Sequence, residues 1–293
     1  MFRGCIVALV TPMLADDSVD FISLGNLVDY HIDSGTDGIV VMGTTGESAT
    51  LSFAEQLQVV QFVVEKVAQR LFVIAGNGTN NTAEAIARTK ALDKLGVDGF
   101  LTVVPYYNRP CQKGLIAHFT AVARATAKPL LLYNVPSRTV TDLLPETVAT
   151  LAKIDNVVGI KEATGQLERL TQIKTLCGDD EFVLLSGDDS SSLAFMRLGG
   201  DGVISVTANV VAKEMATLCH LVQDGRFDDA KVLNDKLAPL HQKLFIAPSP
   251  APAKWLLLHS GRIATAQVRL PLLMLETIHH RVLKEALEAV DLS

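Results

Sequence analysis

Leu95-Gly96-Val97-Asp98-Gly99 closes one helical pattern and opens the apolar run 99–104. A glycine two places before the aspartate suits a helix C-cap, because it enters the left-handed region without a Cβ clash. The same Gly-x-Asp-Gly spacing recurs in Ser34-Gly35-Thr36-Asp37-Gly38 and in Leu198-Gly199-Gly200-Asp201-Gly202, each time before another apolar run. This weak internal repeat reads as one αβ loop used several times. Outward from it, short apolar strands alternate with longer amphipathic helices. The predicted strands are residues 5–10, 38–42, 71–75, 99–104, 130–134, 158–161, 183–186 and 202–206. The predicted helices between them are 24–34, 52–68, 81–95, 114–125, 145–153, 167–177 and 190–198. Ser52-x-x-Glu55 and Asn81-x-x-Glu84 read as capping boxes, and Pro145 suits a first helical turn.

Eight βα units in about 210 residues, without a long insertion, predict an α/β fold of the (β/α)8 TIM-barrel type. A doubly wound open sheet would usually carry fewer strands and a glycine-rich dinucleotide turn. Gly76-Asn77-Gly78 starts like such a turn, but Asn81 stands where the third glycine belongs, so it reads as an ordinary turn. After about Glu214 the strands stop. Residues 215–221, 227–243 and 253–289 read as helices, with Pro248-Ser249-Pro250-Ala251-Pro252 as a rigid break. The expected organisation is a catalytic barrel over residues 1–224 and a small C-terminal helical appendage over 225–293.

The chain has 293 residues and a formal net charge of -6. That charge argues against nucleic acid or an anionic membrane as partner, since both need basic patches. Its four cysteines, Cys5, Cys111, Cys177 and Cys219, form no Cys-x-x-Cys. Neither a zinc site nor a disulfide scaffold is expected, and a cytoplasmic location fits. The opening Cys5-Ile6-Val7-Ala8-Leu9-Val10 is too short for a signal segment, and no apolar stretch reaches transmembrane length.

Lys161 stands out within Val157-Val158-Gly159-Ile160-Lys161-Glu162-Ala163. A period of two places Val157, Gly159, Lys161 and Ala163 on one face, with Gly159 clearing space beside the lysine stem. Two readings are open: a buried amine suited to Schiff-base chemistry, or a solvated lysine just past the strand. In a barrel, chemistry gathers at the C-terminal strand ends. Those ends carry Gly43-Thr44-Thr45-Gly46-Glu47, Pro105-Tyr106-Tyr107-Asn108-Arg109, Tyr133-Asn134-Val135-Pro136-Ser137-Arg138, Ser186-Gly187-Asp188-Asp189 and Ser205-Val206-Thr207-Ala208-Asn209. Hydroxyls, a lysine and an arginine converge on one rim. None of the seven histidines does, which argues against a metal site.

These residues resemble the dihydrodipicolinate synthase family, within the N-acetylneuraminate lyase superfamily of pyruvate-dependent class I aldolases. The carriers are Gly43-Thr44-Thr45-Gly46-Glu47, Pro105-Tyr106-Tyr107-Asn108, Tyr133-Asn134-Val135-Pro136-Ser137-Arg138-Thr139, Gly159-Ile160-Lys161-Glu162-Ala163 and Gly202-Val203-Ile204-Ser205-Val206. The resemblance spans essentially the whole chain. It implies condensation of pyruvate with L-aspartate 4-semialdehyde in diaminopimelate and lysine synthesis. Lys161 matches the Schiff-base lysine and Tyr133 the general acid/base. Thr44 and Tyr107 match the rest of a proton relay, with Tyr107 reaching in from a neighbouring subunit. Thr45 and the backbone of Ile204 match pyruvate contacts, and Arg138 matches the holder of the second substrate's carboxylate. No cofactor is implied, since the iminium formed on lysine is itself the electron sink. A homotetramer of tight dimers is implied. The alternative within the same chemistry is an N-acetylneuraminate or keto-sugar acid lyase, from which Thr44 and Arg138 distinguish this chain.

In feedback-sensitive members L-lysine binds at the tight-dimer interface, and Ala49, Asn80, Glu84 and Tyr106 match that effector site. Phe53 and Gln56 stand where some members carry histidines. The resulting expectation is weak or absent inhibition.

Overall fold

The computed structural model describes residues 2–178 and 181–290, so residues 291–293 of the expected C-terminal appendage lie outside the described residues. Eight parallel strands close a barrel in chain order. They are β1 (Gly4–Ala8), β2 (Gly38–Val41), β3 (Phe72–Gly76), β4 (Gly99–Val103), β5 (Leu130–Asn134), β6 (Val157–Glu162), β7 (Val183–Ser186) and β8 (Gly202–Ser205). The expected TIM barrel is thus the observed fold. Alternate residues fill the barrel, among them Ile6, Val40, Ile74, Leu101, Leu131 and Ile204. The other face of each strand packs against the surrounding helices.

The Gly-x-Asp-Gly repeat has a second role beyond ending helices. Gly35, Gly96 and Gly199 take φ of 75°, 83° and 93°, as the C-cap reading requires. Each following aspartate then clips the strand before it at the N-terminal end of the barrel. The amides of Cys5, Val73 and Leu184 donate to Oδ2 of Asp37, Asp98 and Asp201 at 2.7, 2.7 and 2.8 Å. The aspartate amides donate back to the carbonyls of Cys5, Val73 and Leu184, each at 2.8 Å. β1 is thereby joined to β2, β3 to β4, and β7 to β8. Asp201→Ala strips one clasp and should cost about 2 kcal/mol, the scale of a charge-assisted hydrogen bond. Chemical denaturation measures the loss, and kcat should stay unchanged, because the clasp lies at the end opposite the rim.

Three local expectations need correction. A register shift between Leu130 and Leu131 pairs Leu130 with Val157 but Leu131 with Gly159. Val157 therefore packs outward with the helices, while Val158 packs against the barrel interior. Only after this bulge does the alternation carry Lys161 inward, so Val157 does not share its face. Asn81 caps the amides of Ala83 and Glu84, but the box is half made, because Glu84 turns to Arg88 instead of reaching back. Ser52 and Glu55 complete both halves of theirs.

The third correction concerns the predicted helix 253–289. It breaks into a helix Ala251–His259, a 3-10 turn Thr277–His279 and a helix His280–Glu288. Residues 260–276 instead form a non-helical strap. Gly261 leaves the helix at φ 68°. Thr265 Oγ1 then donates to the Met13 carbonyl at 2.6 Å, and Arg269 donates to the carbonyls of Asp17 and Thr50. These partners sit in the loops after β1 and β2, so the strap lies across the barrel's functional end. A one-turn helix, Pro136–Thr139, also follows β5.

Candidate active site

A cavity of about 220 Å³ opens at the C-terminal ends of the strands. Thr44, Thr45, Tyr133, Arg138 and Lys161 all line it. Lys161 is only 7% exposed, so the buried reading of this residue holds over the solvated one. β5 and β6 place Tyr133 directly beside it. Lys161 Nζ stands 4.3 Å from the centroid of the Tyr133 ring. Among the described residues no carboxylate pairs with this amine and no hydrogen bond holds it. A buried amine that is unpartnered and faces a cavity is arranged for covalent chemistry with a carbonyl.

The residue that makes room for the lysine stem is Gly187, from the end of β7. A Cβ there would stand 2.9 Å from Lys161 Cε and 2.5 Å from Ala163 Cβ. Gly159, expected to fill this role, instead lets β6 approach β7, since its Cβ would meet the Val183 carbonyl oxygen at 2.3 Å.

Outside the barrel wall the adjacent Glu162 anchors the same strand end. Asn134 Nδ2 donates to Glu162 Oε2 at 3.1 Å and to Asp142 Oδ1 at 2.8 Å. Arg169 Nε donates to Glu162 Oε2 at 3.1 Å, and its Nη1 donates to Asp142 Oδ2 at 3.0 Å. The network ties the ends of β5 and β6 together, fixing Tyr133 against Lys161. Arg169 escaped the sequence reading. Its signal was an arginine on the buried stripe of the helix Leu167–Cys177, beside Leu170 and Ile173.

The remaining expected residues fall in different places. Thr45 is buried in the cavity wall and Thr44 is exposed at its mouth. Arg138 projects from the one-turn helix after β5. Among the described residues its guanidinium has neither ion pair nor hydrogen bond, which leaves it available to a carboxylate at the mouth. Ile204 is buried in the barrel interior and does not line the cavity. Tyr107 does not join the site within one chain. It is 88% exposed, with φ 74°. The cavity wall also includes Asp188, Phe245 and Ser249, which the sequence reading did not select. Asp188 is occupied by Ser191, whose amide and hydroxyl donate to its Oδ2 at 2.9 and 2.6 Å. Among the described residues no group of three or more His, Cys, Asp or Glu side chains could hold a metal ion.

The four residues matched to an effector site do come together, in a second cavity of about 680 Å³ that shares Thr44 and Arg138 with the first. Ala49, Asn80, Glu84 and Tyr106 line it, together with Arg88. Arg88 Nη2 lies 2.6 Å from Glu84 Oε1, and its Nη1 donates to Gln56 Oε1 at 3.1 Å. Its guanidinium stands 5.2 Å from the Phe53 ring centroid.

Fold and site together define a (β/α)8 barrel that presents a buried amine to a small cavity at its rim. The chain belongs to the dihydrodipicolinate synthetase family, whose model matches residues 1–290. It is accordingly a lyase-type, pyruvate-dependent aldolase. A curated relative from Sodalis glossinidius, 4-hydroxy-tetrahydrodipicolinate synthase, is 55% identical over 98% of each chain. Among solved structures, a chloride-inhibited dihydrodipicolinate synthase from Acinetobacter baumannii complexed with pyruvate is 45% identical. It superposes with a TM-score of 0.97 over 100% of both chains. A dihydrodipicolinate synthase described as a monomeric variant is 37% identical, with a TM-score of 0.96 over 100% of this chain and 98% of that one.

Proposed function

We propose that the chain condenses pyruvate with L-aspartate 4-semialdehyde through a Schiff base on Lys161, as a 4-hydroxy-tetrahydrodipicolinate synthase serving diaminopimelate and lysine synthesis in the cytoplasm. The observation that carries this reading is the buried, unpartnered Lys161 amine set against Tyr133 in the rim cavity.

Lys161 Nζ attacks the pyruvate ketone to give a carbinolamine, and loss of water leaves an iminium. The iminium withdraws electrons, so a methyl proton departs and an enamine forms. The enamine carbon attacks the aldehyde, and the amine of the second substrate then displaces Lys161 and closes the ring. Tyr133, whose ring lies against the reacting nitrogen, is the proton donor and acceptor. Thr44 and Tyr107 continue the relay towards solvent. Thr45 and the backbone of Ile204 hold the pyruvate carboxylate, and the free guanidinium of Arg138 takes the carboxylate of the aldehyde. Borohydride reduction in the presence of pyruvate tests the scheme. A pyruvate-derived mass should appear on the Lys161 peptide and nowhere else. An unlabelled Lys161, or cleavage of a sugar acid in place of the condensation, would overturn it.

The assembly is a homotetramer built from tight dimers. Supporting this is Tyr107, a tyrosine held in strained backbone and fully presented to solvent, with Tyr106 beside it. A partner copy would bury both and bring Tyr107 to the relay. Sedimentation velocity measures the mass, and a monomer that retains full activity would remove Tyr107 from the relay.

L-Lysine inhibits this enzyme weakly or not at all. Glu84, the carboxylate matched to the effector site, is already paired with Arg88, which Gln56 and Phe53 hold in place. Arg88→Leu frees that carboxylate and should increase the inhibition measured in millimolar L-lysine. Strong inhibition of the wild type would show that the pairing with Arg88 does not keep Glu84 from a bound lysine.

A further inference from the structure

The last residue of Gly43-Thr44-Thr45-Gly46-Glu47 takes no part in the cavity. Glu47 adopts φ 56°, and its side chain turns away from the rim into the protein. There it meets Lys254 Nζ, on the helix Ala251–His259, with both side chains 0% exposed. Lys254 also donates to the Gln267 carbonyl at 2.7 Å, and the Arg269 amide donates to Glu47 Oε2 at 3.2 Å. Three distant stretches therefore meet at one ion pair: the turn after β2, the C-terminal helix and the strap.

Two of these stretches also build the catalytic cavity. Thr44 and Thr45 line it from the turn, and Phe245 and Ser249 line it from the segment that leads into the helix. The turn's other hydrogen bonds are to its backbone: Thr11 Oγ1 donates to the Gly46 carbonyl at 2.7 Å, the Glu47 and Ser48 amides donate to the Thr44 and Gly43 carbonyls at 3.1 and 3.5 Å, and the Thr50 amide and Oγ1 donate to the Glu47 carbonyl at 3.0 and 3.2 Å. A buried ion pair is a weak source of stability, because an apolar pair of similar volume commonly does as well. It is a strong source of fixed geometry, since both charged ends must find all their partners at once. Burial pushes the Lys254 amine below its usual range, and Glu47 opposes this by favouring the charged form.

We propose that Glu47 and Lys254 are positioning residues: their ion pair sets the Thr44–Thr45 turn against the Phe245–Ser249 wall, and so fixes the seat of the pyruvate carboxylate. The pair touches no substrate. The proposal rests on Lys161 as the Schiff-base residue, and the test separates the two ideas.

Two variants of the full chain are compared with the wild type. One combines Glu47→Gln with Lys254→Met, which removes both charges at similar volume. The other is Glu47→Asp, which keeps the charge on an arm one methylene shorter. The measurement is the pyruvate concentration that gives half-maximal borohydride labelling of Lys161, with the melting temperature recorded beside it. Both variants should need about tenfold more pyruvate or above, the scale of a small misplacement at a binding site. The double variant should keep its melting temperature, and at saturating pyruvate Lys161 should remain the labelled residue. A folded variant of either kind with the wild-type pyruvate dependence reduces the pair to a packing element and overturns the proposal. A wild type that takes no label overturns the Lys161 scheme and this proposal with it.

Discussion

Lys161→Met folds with at least wild-type stability, takes up no pyruvate label under borohydride, and turns over roughly 10⁴-fold more slowly or worse. Methionine matches the length of the lysine stem and lacks the amine. The surroundings accept it, because the stem lies beside Gly187, Ala163 and the Tyr133 ring. No hydrogen bond or ion pair is lost, since among the described residues none holds the Lys161 amine, and only its contact with the Tyr133 ring goes. Replacing a buried amine that lacks a hydrogen-bond partner by an apolar group of similar length removes the cost of burying it, so stability and activity should move in opposite directions. The rate loss follows from the chemistry: without the amine there is no iminium, and the methyl group of pyruvate has no electron sink. The decisive measurements are kcat/KM and a thermal melt on the same preparation. Retained turnover in a folded Lys161→Met protein would exclude the covalent route.

Arg169→Ala has the opposite profile. The guanidinium is almost fully buried and bridges Glu162, Asp142 and the Leu143 carbonyl. Its loss leaves the Glu162 carboxylate, whose side chain is only 2% exposed, without its counter-charge. Breaking a buried pair from one side costs about 3–5 kcal/mol, far more than the pair contributes when intact. For a domain of this size that corresponds to a fall in melting temperature of roughly 10 °C. The freed carboxylate lies next in sequence to Lys161, so the labelling of Lys161 should also weaken below the melting range. Glu162→Gln added to Arg169→Met removes both charges and should recover most of the stability. A single variant that melts within about 2 °C of the wild type would show that solvent reaches Glu162 after all.

Much of this architecture is legible in the residues, and the exceptions have physical causes. Buried parallel strands are short apolar runs bounded by glycine and aspartate, so all eight show in the pattern, with edges displaced by a residue or two. The lysine shows for the same reason, as a charge where the pattern demands an apolar residue. What the pattern misses is set by partners far away in the chain. The outward turn of Val157 depends on a register shift against β5. The break in the predicted helix 253–289 depends on bonds from Thr265 and Arg269 to loops at the other end of the sequence. Glu47 reads as one more residue of the rim turn after β2 until Lys254, more than two hundred positions later, takes it away. Gly187 and Gly159 are alike as letters. Only the packing shows which of them clears the lysine.

The aspartate clasps divide the barrel into pairs. β1 with β2, β3 with β4, and β7 with β8 each carry one, whereas β5 and β6 have none: the Leu130 amide donates to the Asn156 carbonyl at 2.7 Å, just as the Phe100 amide of β4 donates to the Pro129 carbonyl at 2.9 Å. Every clasp joins strands that are neighbours in sequence, so each βαβ pair is a self-contained piece of chain. New termini opened between β2 and β3 would leave all three clasps within continuous chain. Termini opened between β3 and β4 would make one clasp a contact between chain ends. The natural places to cut, permute or splice this barrel are thus the odd-numbered strand entries, and none of those cuts passes through a clasp.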